Sequence, residues 1–465
     1  MGFFSNLTDW FTRGAVPAPP HAGLFHFLIE RPGEKSRVHL RVEQDGHALL
    51  LINASRAVHL NPSAAYLTFL YLNKIPAEKA ASALTRYYDL PAYQAAADFK
   101  QVSSQLEDLI NPLGPCPVCE MELETTVPFS SEPSAPYRMD LAITYRCNND
   151  CAHCYNARSR NHPELDTQQW LSMLDNLWRL SIPHIVFTGG EPTLREDLPL
   201  LIARAESNGQ ITGINTNGRR LAREGYVEHL KEAGLDHIQI TFESHVPEIH
   251  DSMVNHPGAW QETLAGLEKA LKSGLFVMTN TTMLNENAAH LEETLHFLAR
   301  LGVPTIGLNA LIYSGRGRKV GTGLPESQLP ALLDTARRIT EANQQRLIWY
   351  TPTQYCNFDP EQMELGVKGC TAALYNMCVE PDGSVLPCQS YYQTLGNIQT
   401  DPWEKIWNHP LALSLRERRH LPSACKACLF EKECGGGCPL ARNAGETCPP
   451  VAINPLIHEE TEILR

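Results

Sequence analysis

Apolar and polar positions change period several times along the chain. Short apolar runs at 24–29, 38–42 and 48–52 predict strands, separated by the turn signals Pro32-Gly33 and Asp45-Gly46. Helical spacing follows over 62–72, 77–90 and 92–109. Residues 23–113 therefore form an expected small α+β unit. Residues 1–22 precede it as an extension with Phe3, Phe4, Trp10 and Phe11, then a Pro-rich run. This aromatic stretch reads as a helix docked on its own protein rather than on a membrane surface. Residues 114–136 are rich in Pro and Ser and read as a linker.

From 137 to 345 the pattern becomes regular. Strands fall near 138–144, 184–188, 211–215, 237–242, 276–282 and 305–312, with helical segments such as 167–180, 221–233 and 259–272 between them. Repeated βα order with apolar strands predicts a parallel sheet, and six units suit a partial (β/α)6 barrel. Such a barrel binds ligands at the strand C-terminal ends. Residues 346–465 are rich in Cys, Gly and Pro with little periodicity, so metal is expected to organise them instead of a large apolar core.

Composition narrows the class. With 43% apolar and 20% charged residues, the 465-residue chain is not disordered. A net charge of -13 argues against a general nucleic-acid binder. Apolar runs such as 48–52 and 184–187 are strand-length, so no membrane span is expected. No signal-peptide series stands at the start, which predicts a soluble, cytoplasmic protein. In a reducing compartment, 14 unevenly clustered cysteines mean metal ligands or catalysis before disulfides.

Cys147, Cys151 and Cys154 lie within eight residues directly after the first barrel strand. Three thiolates on one loop can hold three irons of a cubane, leaving the fourth iron open. A tetrahedral zinc site with His153 as fourth ligand stays open as an alternative. The next strand ends in Gly189-Gly190-Glu191-Pro192, where glycines permit a ligand to approach the backbone. The third ends in Asn215-Thr216-Asn217-Gly218 and the fourth in Thr241-Phe242-Glu243-Ser244.

The Cys-x3-Cys-x2-Cys loop and the Gly-Gly-Glu-Pro turn together resemble the radical S-adenosylmethionine (SAM) superfamily. The resemblance implies that SAM chelates the open iron through its amino and carboxylate groups. Gly190 and Glu191 would contact the amino group, with Gly189 of the same motif also at the cofactor, and His153 would lie near the adenine. Asn215 and Asn217, with Glu243 or Ser244, would serve the ribose and carboxylate, and Asn309 with Leu311 the adenine. It further implies that one electron from the cluster cleaves SAM and that the 5′-deoxyadenosyl radical takes a hydrogen atom from substrate.

Further along stand Cys370-x12-Gly383-x4-Cys388, Cys425-x2-Cys428-x5-Cys434-x3-Cys438 and Cys448. This series resembles the SPASM domain, which carries two auxiliary 4Fe-4S clusters, three clusters in all. By resemblance, Cys370, Cys388 and Cys438 hold the first, and Cys425, Cys428, Cys434 and Cys448 the second. The fourth ligand of the first is Cys356, Cys378 or an open site. Whichever of Cys356 and Cys378 does not bind iron is a candidate hydrogen-atom donor. A zinc ribbon over 425–438 is the plainer alternative, and Cys116 and Cys119 stay unassigned.

The N-terminal unit is similar to the peptide-binding chaperone of pyrroloquinoline quinone biosynthesis, a winged-helix-like domain. Arg41-Val42-Glu43-Gln44-Asp45-Gly46, Leu49-Leu50-Leu51, Val58-His59-Leu60-Asn61-Pro62-Ser63-Ala64-Ala65 and Thr85-Arg86-Tyr87-Tyr88 carry the likeness. It implies a strand edge that pairs with the leader of a precursor peptide. The combined expectation is modification of a ribosomal peptide by crosslinking, epimerisation or excision, with flavodoxin or ferredoxin as electron donor. SPASM-dependent chemistry on a small molecule such as a haem precursor is the alternative, and a non-catalytic iron–sulfur scaffold the third.

Overall fold

The computed structural model describes residues 17–31, 34–53, 56–110 and 133–443. The aromatic positions of the N-terminal extension, Cys116, Cys119 and Cys448 lie outside those residues. The chain forms two compact units, Met1–Ser134 and Ala135–Arg465.

In the first unit, strands β1 (Gly23–Arg31), β2 (Glu34–Val42), β3 (Ala48–Ile52) and β4 (Arg56–Leu60) form an antiparallel meander in chain order. Helices Pro62–Leu72, Ala77–Tyr87 and Ala92–Ile110 follow. Alternation on β2 sends Val38, Leu40 and Val42 into a core with Leu50, Ile52, Tyr66 and Leu70. Asn61 caps the first helix by accepting the Ala64 N–H at 2.8 Å, and Pro62 opens its first turn. Strand β4 is an addition to the expected elements; five residues ending at that cap leave little pattern to read. The second helix stops at Tyr87 instead of 90, because Pro91 disfavours helical backbone at Leu90.

The second unit is built on a ten-stranded sheet. Its strands are β5 (Arg138–Thr144), β6 (His184–Gly189), β7 (Ile211–Thr216), β8 (His237–Thr241), β9 (Phe276–Thr282), β10 (Thr305–Asn309), β11 (Arg346–Trp349), β12 (Asn376–Val379), β13 (Ser384–Leu386) and β14 (Gly396–Asn397). The order is β11-β10-β9-β8-β7-β6-β5-β12-β13-β14, parallel from β11 to β12 and antiparallel thereafter. This is an α/β fold with an open, barrel-like parallel sheet. Strand β10 ends at Asn309, short of the expected 312. The expected helix 221–233 breaks into the turn Arg219–Ala222 and the helix Tyr226–Glu232, with Gly225 at φ +71° between them.

The Cys-rich segment departs from expectation. Strand β12 pairs with β5, and Met377, Val379, Val385, Leu395 and Ile406 join the same core as Met139 and Leu141. Part of this segment is therefore held by the barrel's apolar core. Among the described residues, no helix is long and apolar enough to cross a membrane.

At the N-terminal ends of the strands, His184 of β6 and His237 of β8 meet Nε2 to Nε2 at 2.9 Å. Gly213 on the intervening β7 leaves room for the pair; a Cβ there would lie 2.0 Å from the His237 ring. Burial, with a smaller push from Arg138, lowers the His237 pKa from 6.5 to about 4. The unfolded chain therefore binds one more proton than the folded chain between those values. Stability from this site is full above pH 6.5 and falls as pH drops toward 4, at about 1.4 kcal/mol per unit. Urea titrations should show this slope, and His237→Leu should flatten it by about one proton, whatever its absolute stability. An unchanged slope in the variant would contradict the assignment.

Candidate active site

The C-terminal ends of β5 to β10 open into a cavity of about 1220 Å³. One wall carries Cys147, Cys151, His153 and Cys154; another carries Thr371, Tyr375, Asn376 and residues 389–393. The cysteine loop has no regular structure, so its position depends on its anchors. The Gly190 N–H donates to the Thr144 carbonyl at 2.7 Å, and the Glu191 N–H to the Arg146 carbonyl at 2.9 Å. A Cβ on Gly189 would stand 2.1 Å from the Thr144 carbonyl, and one on Gly190 2.3 Å from that of Arg146. These glycines thus admit the chain's own backbone, and both also line the cavity, where a ligand is expected to approach.

Further anchors close the loop from other sides. Asp150 N–H donates to Val254 at 2.9 Å and Ala152 N–H to Met253 at 3.1 Å. The Arg160 guanidinium donates to the Cys147 carbonyl at 3.0 Å, and the Arg316 N–H to the Cys154 carbonyl at 2.9 Å. Asp150 takes Arg160 at 2.6 Å and Arg316 at 2.7 Å, and the Arg316 hydrogen bond holds its carboxyl below the usual range.

Glu191 stands behind the wall. Its carboxylate is 1% exposed and accepts from the Thr193 N–H (3.1 Å), the Thr193 hydroxyl (2.6 Å), the Thr216 hydroxyl (2.7 Å) and the Asn217 N–H (2.8 Å). Burial pushes its pKa up against these donors. The side chain clamps β6 to β7 and does not line the cavity, so its expected contact with a SAM amino group has no counterpart here. Ser244 is also fully buried, accepting the Val246 N–H at 3.1 Å, and Leu311 packs with Met253 and Leu284. Neither lines the cavity.

Asn215, Asn217, Glu243 and Asn309 do line it. Glu243 accepts the Thr282 N–H at 2.9 Å and meets His153 Nε2 at 3.0 Å. His153 Nδ1 is buried without a partner, in a ring on the cavity wall. Asn309 donates to Asn280 at 2.8 Å, and Asn217 to Asn148 at 2.7 Å.

Several of the expected ligand thiols lie near enough to raise one another's pKa. Burial raises Cys147 to about 11, with Glu191 and Cys154 adding, and raises Cys151 well above 9, with both neighbouring thiols adding. Cys370 is raised by burial, Cys438 and Cys388, and Cys388 is raised to about 12 by burial and Cys438, against hydrogen bonds from the Ser390 and Tyr391 backbone. Cys425 is raised by burial and by Cys434 and Cys428, against Arg442. Among the described residues, no three His, Cys, Asp or Glu side chains are spaced for a single metal ion. His153 turns to Glu243, away from the role of a fourth zinc ligand.

Neither extra cysteine reaches the cavity. Cys378 is 1% exposed on β12, among Ala142, Tyr145 and Leu386. It packs as a small apolar side chain, which removes it as a hydrogen donor to this cavity. Cys356 is exposed and disulfide-bonded. Sequence reasoning missed the Gly315-Arg316-Gly317-Arg318-Lys319 loop, visible only as a basic run after β10. It also missed Tyr155, whose hydroxyl donates to Gln389 at 3.3 Å and links the residue after Cys154 to the residue after Cys388.

Residues 141–298 match the radical SAM superfamily, and residues 370–429 match the SPASM iron–sulfur cluster-binding domain. The chain is a radical SAM enzyme with a C-terminal SPASM domain. It is 28% identical to the PqqA peptide cyclase of Ruegeria pomeroyi over 360 residues, 73% of this chain and 92% of that one. It is 28% identical to the Fe-coproporphyrin III synthase of Methanosarcina barkeri over 325 residues, 63% and 81%. Among solved structures, Streptococcus suis SuiB bound to its precursor peptide SuiA shares the fold, with TM-score 0.66, 16% identity and coverage of 91% and 98%.

Because the glycine seat is backbone against backbone, Gly190→Ala should displace the cysteine loop. The expected cost is about 1–3 kcal/mol of stability. After anaerobic reconstitution, the variant should lose the electron paramagnetic resonance change that SAM causes in the wild type, with the fold kept by circular dichroism. A wild-type response would show that the loop does not depend on this seat.

Proposed function

We propose that this enzyme matures a ribosomal precursor peptide by hydrogen abstraction. Cys147, Cys151 and Cys154 would hold the SAM-binding cluster. Cys370, Cys388 and Cys438 would hold the first auxiliary cluster, and Cys425, Cys428, Cys434 and Cys448 the second. The described thiols fit: within each set they are coupled through space, and the first set lies on the wall of a cavity. When bound and reduced by flavodoxin or ferredoxin, the first cluster with SAM supplies a 5′-deoxyadenosyl radical. The chain's own residues orient and desolvate. His153 Nδ1, Asn215, Asn217, Glu243 and Asn309 offer polar groups to SAM. The backbone seat under Gly190 keeps the three thiols in register.

One observation carries the reading. A single cavity has Cys147, Cys151 and Cys154 on one wall and the residues that follow Cys388 on another, so a substrate in it would lie between the two cysteine groups. The likeness to SuiB covers more of the chain than the second unit alone holds, so it extends into the N-terminal unit. Strands β1 and β4 are the edges of that unit's sheet, and either can add a peptide strand. The likeness to Fe-coproporphyrin III synthase favours a second reading, in which the substrate is a tetrapyrrole.

Cys151→Ala should reduce 5′-deoxyadenosine formation to background under dithionite; persistent formation would contradict the cluster assignment. Deleting residues 1–110 should weaken binding of a precursor peptide, encoded in a neighbouring short reading frame, by tenfold or more. SAM cleavage should remain. Undiminished binding by the truncated chain would remove the leader role of the N-terminal unit.

A further inference from the structure

The loop after β10 lies directly on the cysteine loop. A Cβ on Gly315 would meet the Asn156 and Tyr155 carbonyls at 2.5 and 2.6 Å, and one on Gly317 the Ile312 carbonyl at 2.4 Å. The 310 turn Gly315–Arg318 is therefore fixed in place and holds its side chains at the cavity. On this wall four cations, Arg160, Arg316, Arg318 and Lys319, face one lining carboxylate, Asp150. Asp150 is shared by Arg160 and Arg316. Elsewhere in the cavity Arg138 is matched by Asp140 at 2.7 Å, and Arg158 by the buried Glu380 at 2.6 Å.

Arg318 and Lys319 remain: both are exposed, and neither makes an ion pair or side-chain hydrogen bond among the described residues. Such a surplus is notable in a chain of net charge -13. A cation held at a cavity wall without a partner favours an incoming anion, because the partner's desolvation is compensated there. The two substrate classes considered above share one anionic group, the carboxylate.

We propose that Arg318 and Lys319 form a subsite for a substrate carboxylate, supplied by an Asp or Glu side chain of the peptide. This rests on the peptide-maturation reading and names the substrate's chemistry. Arg316 is turned toward Cys154 and Asp150, so the two exposed cations are the ones available to substrate.

The test uses full-length, reconstituted protein with saturating SAM, so that SAM's own carboxylate is not the group read. Three probes are titrated: a fluorescein-labelled heptapeptide alternating Gly and Glu, the same peptide with Gln for Glu, and coproporphyrin III. The Glu peptide should bind at least tenfold more tightly than the Gln peptide. The double variant Arg318→Gln, Lys319→Gln should erase that preference. Raising salt from about 0.05 to 0.5 M should narrow it, as expected for exposed charges. The substituted side chains support no other contact, and an unchanged melting temperature checks this.

Equal affinity for Glu and Gln peptides, or no binding of either, together with coproporphyrin binding unaffected by the double variant, overturns the subsite. So does a Glu preference that survives in the double variant, while leaving the peptide reading intact. Coproporphyrin binding that depends on Arg318 and Lys319, with no Glu-peptide preference, keeps the carboxylate site and overturns the peptide as its source.

Discussion

Two backbone hydrogen bonds, from Gly190 to Thr144 and from Glu191 to Arg146, set the geometry on which the chemistry depends. The segment between β5 and the helix Thr167–Arg179 is 22 residues long without regular structure of its own. Such a loop has large conformational entropy to lose. Three thiols on it can define a cluster site only if the loop is held at many points. The strand β6 supplies this by ending in two glycines, where any side chain would collide with carbonyl oxygens. Glu191 adds a buried clamp, tying the end of β6 to β7 through the Thr216 hydroxyl and the Asn217 N–H.

Along most of their length the strands divide their two faces between core and cavity. On β8, Ile238 and Ile240 are buried in the helix-covered core, while Gln239 and Thr241 line the cavity. On β7, Ile214 is in the core and Asn215 at the cavity. Asn280 and Asn309 continue the polar lining on β9 and β10. The barrel is therefore apolar outside and lined with amides inside, the reverse of a barrel filled by branched side chains. That inversion leaves room and hydrogen-bonding groups for a polar ligand.

This division explains what the sequence revealed. Strands β5 to β10 were legible because each is a buried run followed by a helix, and the cysteine triplet because its spacing is local. Strand β11 is a four-residue edge, and β12 joins β5 across more than 230 residues of sequence, a pairing with no local trace. Residue type was also a poor guide to direction. Glu191 and Glu243 both end a barrel strand, yet one faces a neighbouring strand's donors and the other the cavity. Cys378 and Cys388 are ten positions apart, and only the fold shows that one is core and the other sits beside Cys370. The basic loop at 315–319 acquires its meaning from lying on Cys154, which no spacing discloses.

The SPASM segment from β12 onward is continuous with the barrel. Arg158, four residues past Cys154, forms a two-pronged pair with Glu380 of the turn after β12, at 2.6 and 2.8 Å. Glu380 is fully buried and also accepts the Tyr145 hydroxyl at 3.1 Å. Removing Arg158 would leave the Glu380 carboxylate unpaired in the interior, which is costly. Together with the Tyr155 contact to Gln389, this joins the cysteine loop to the chain around Cys388 through short, buried links. The cavity's two walls are thereby tied to each other through the Arg158–Glu380 pair.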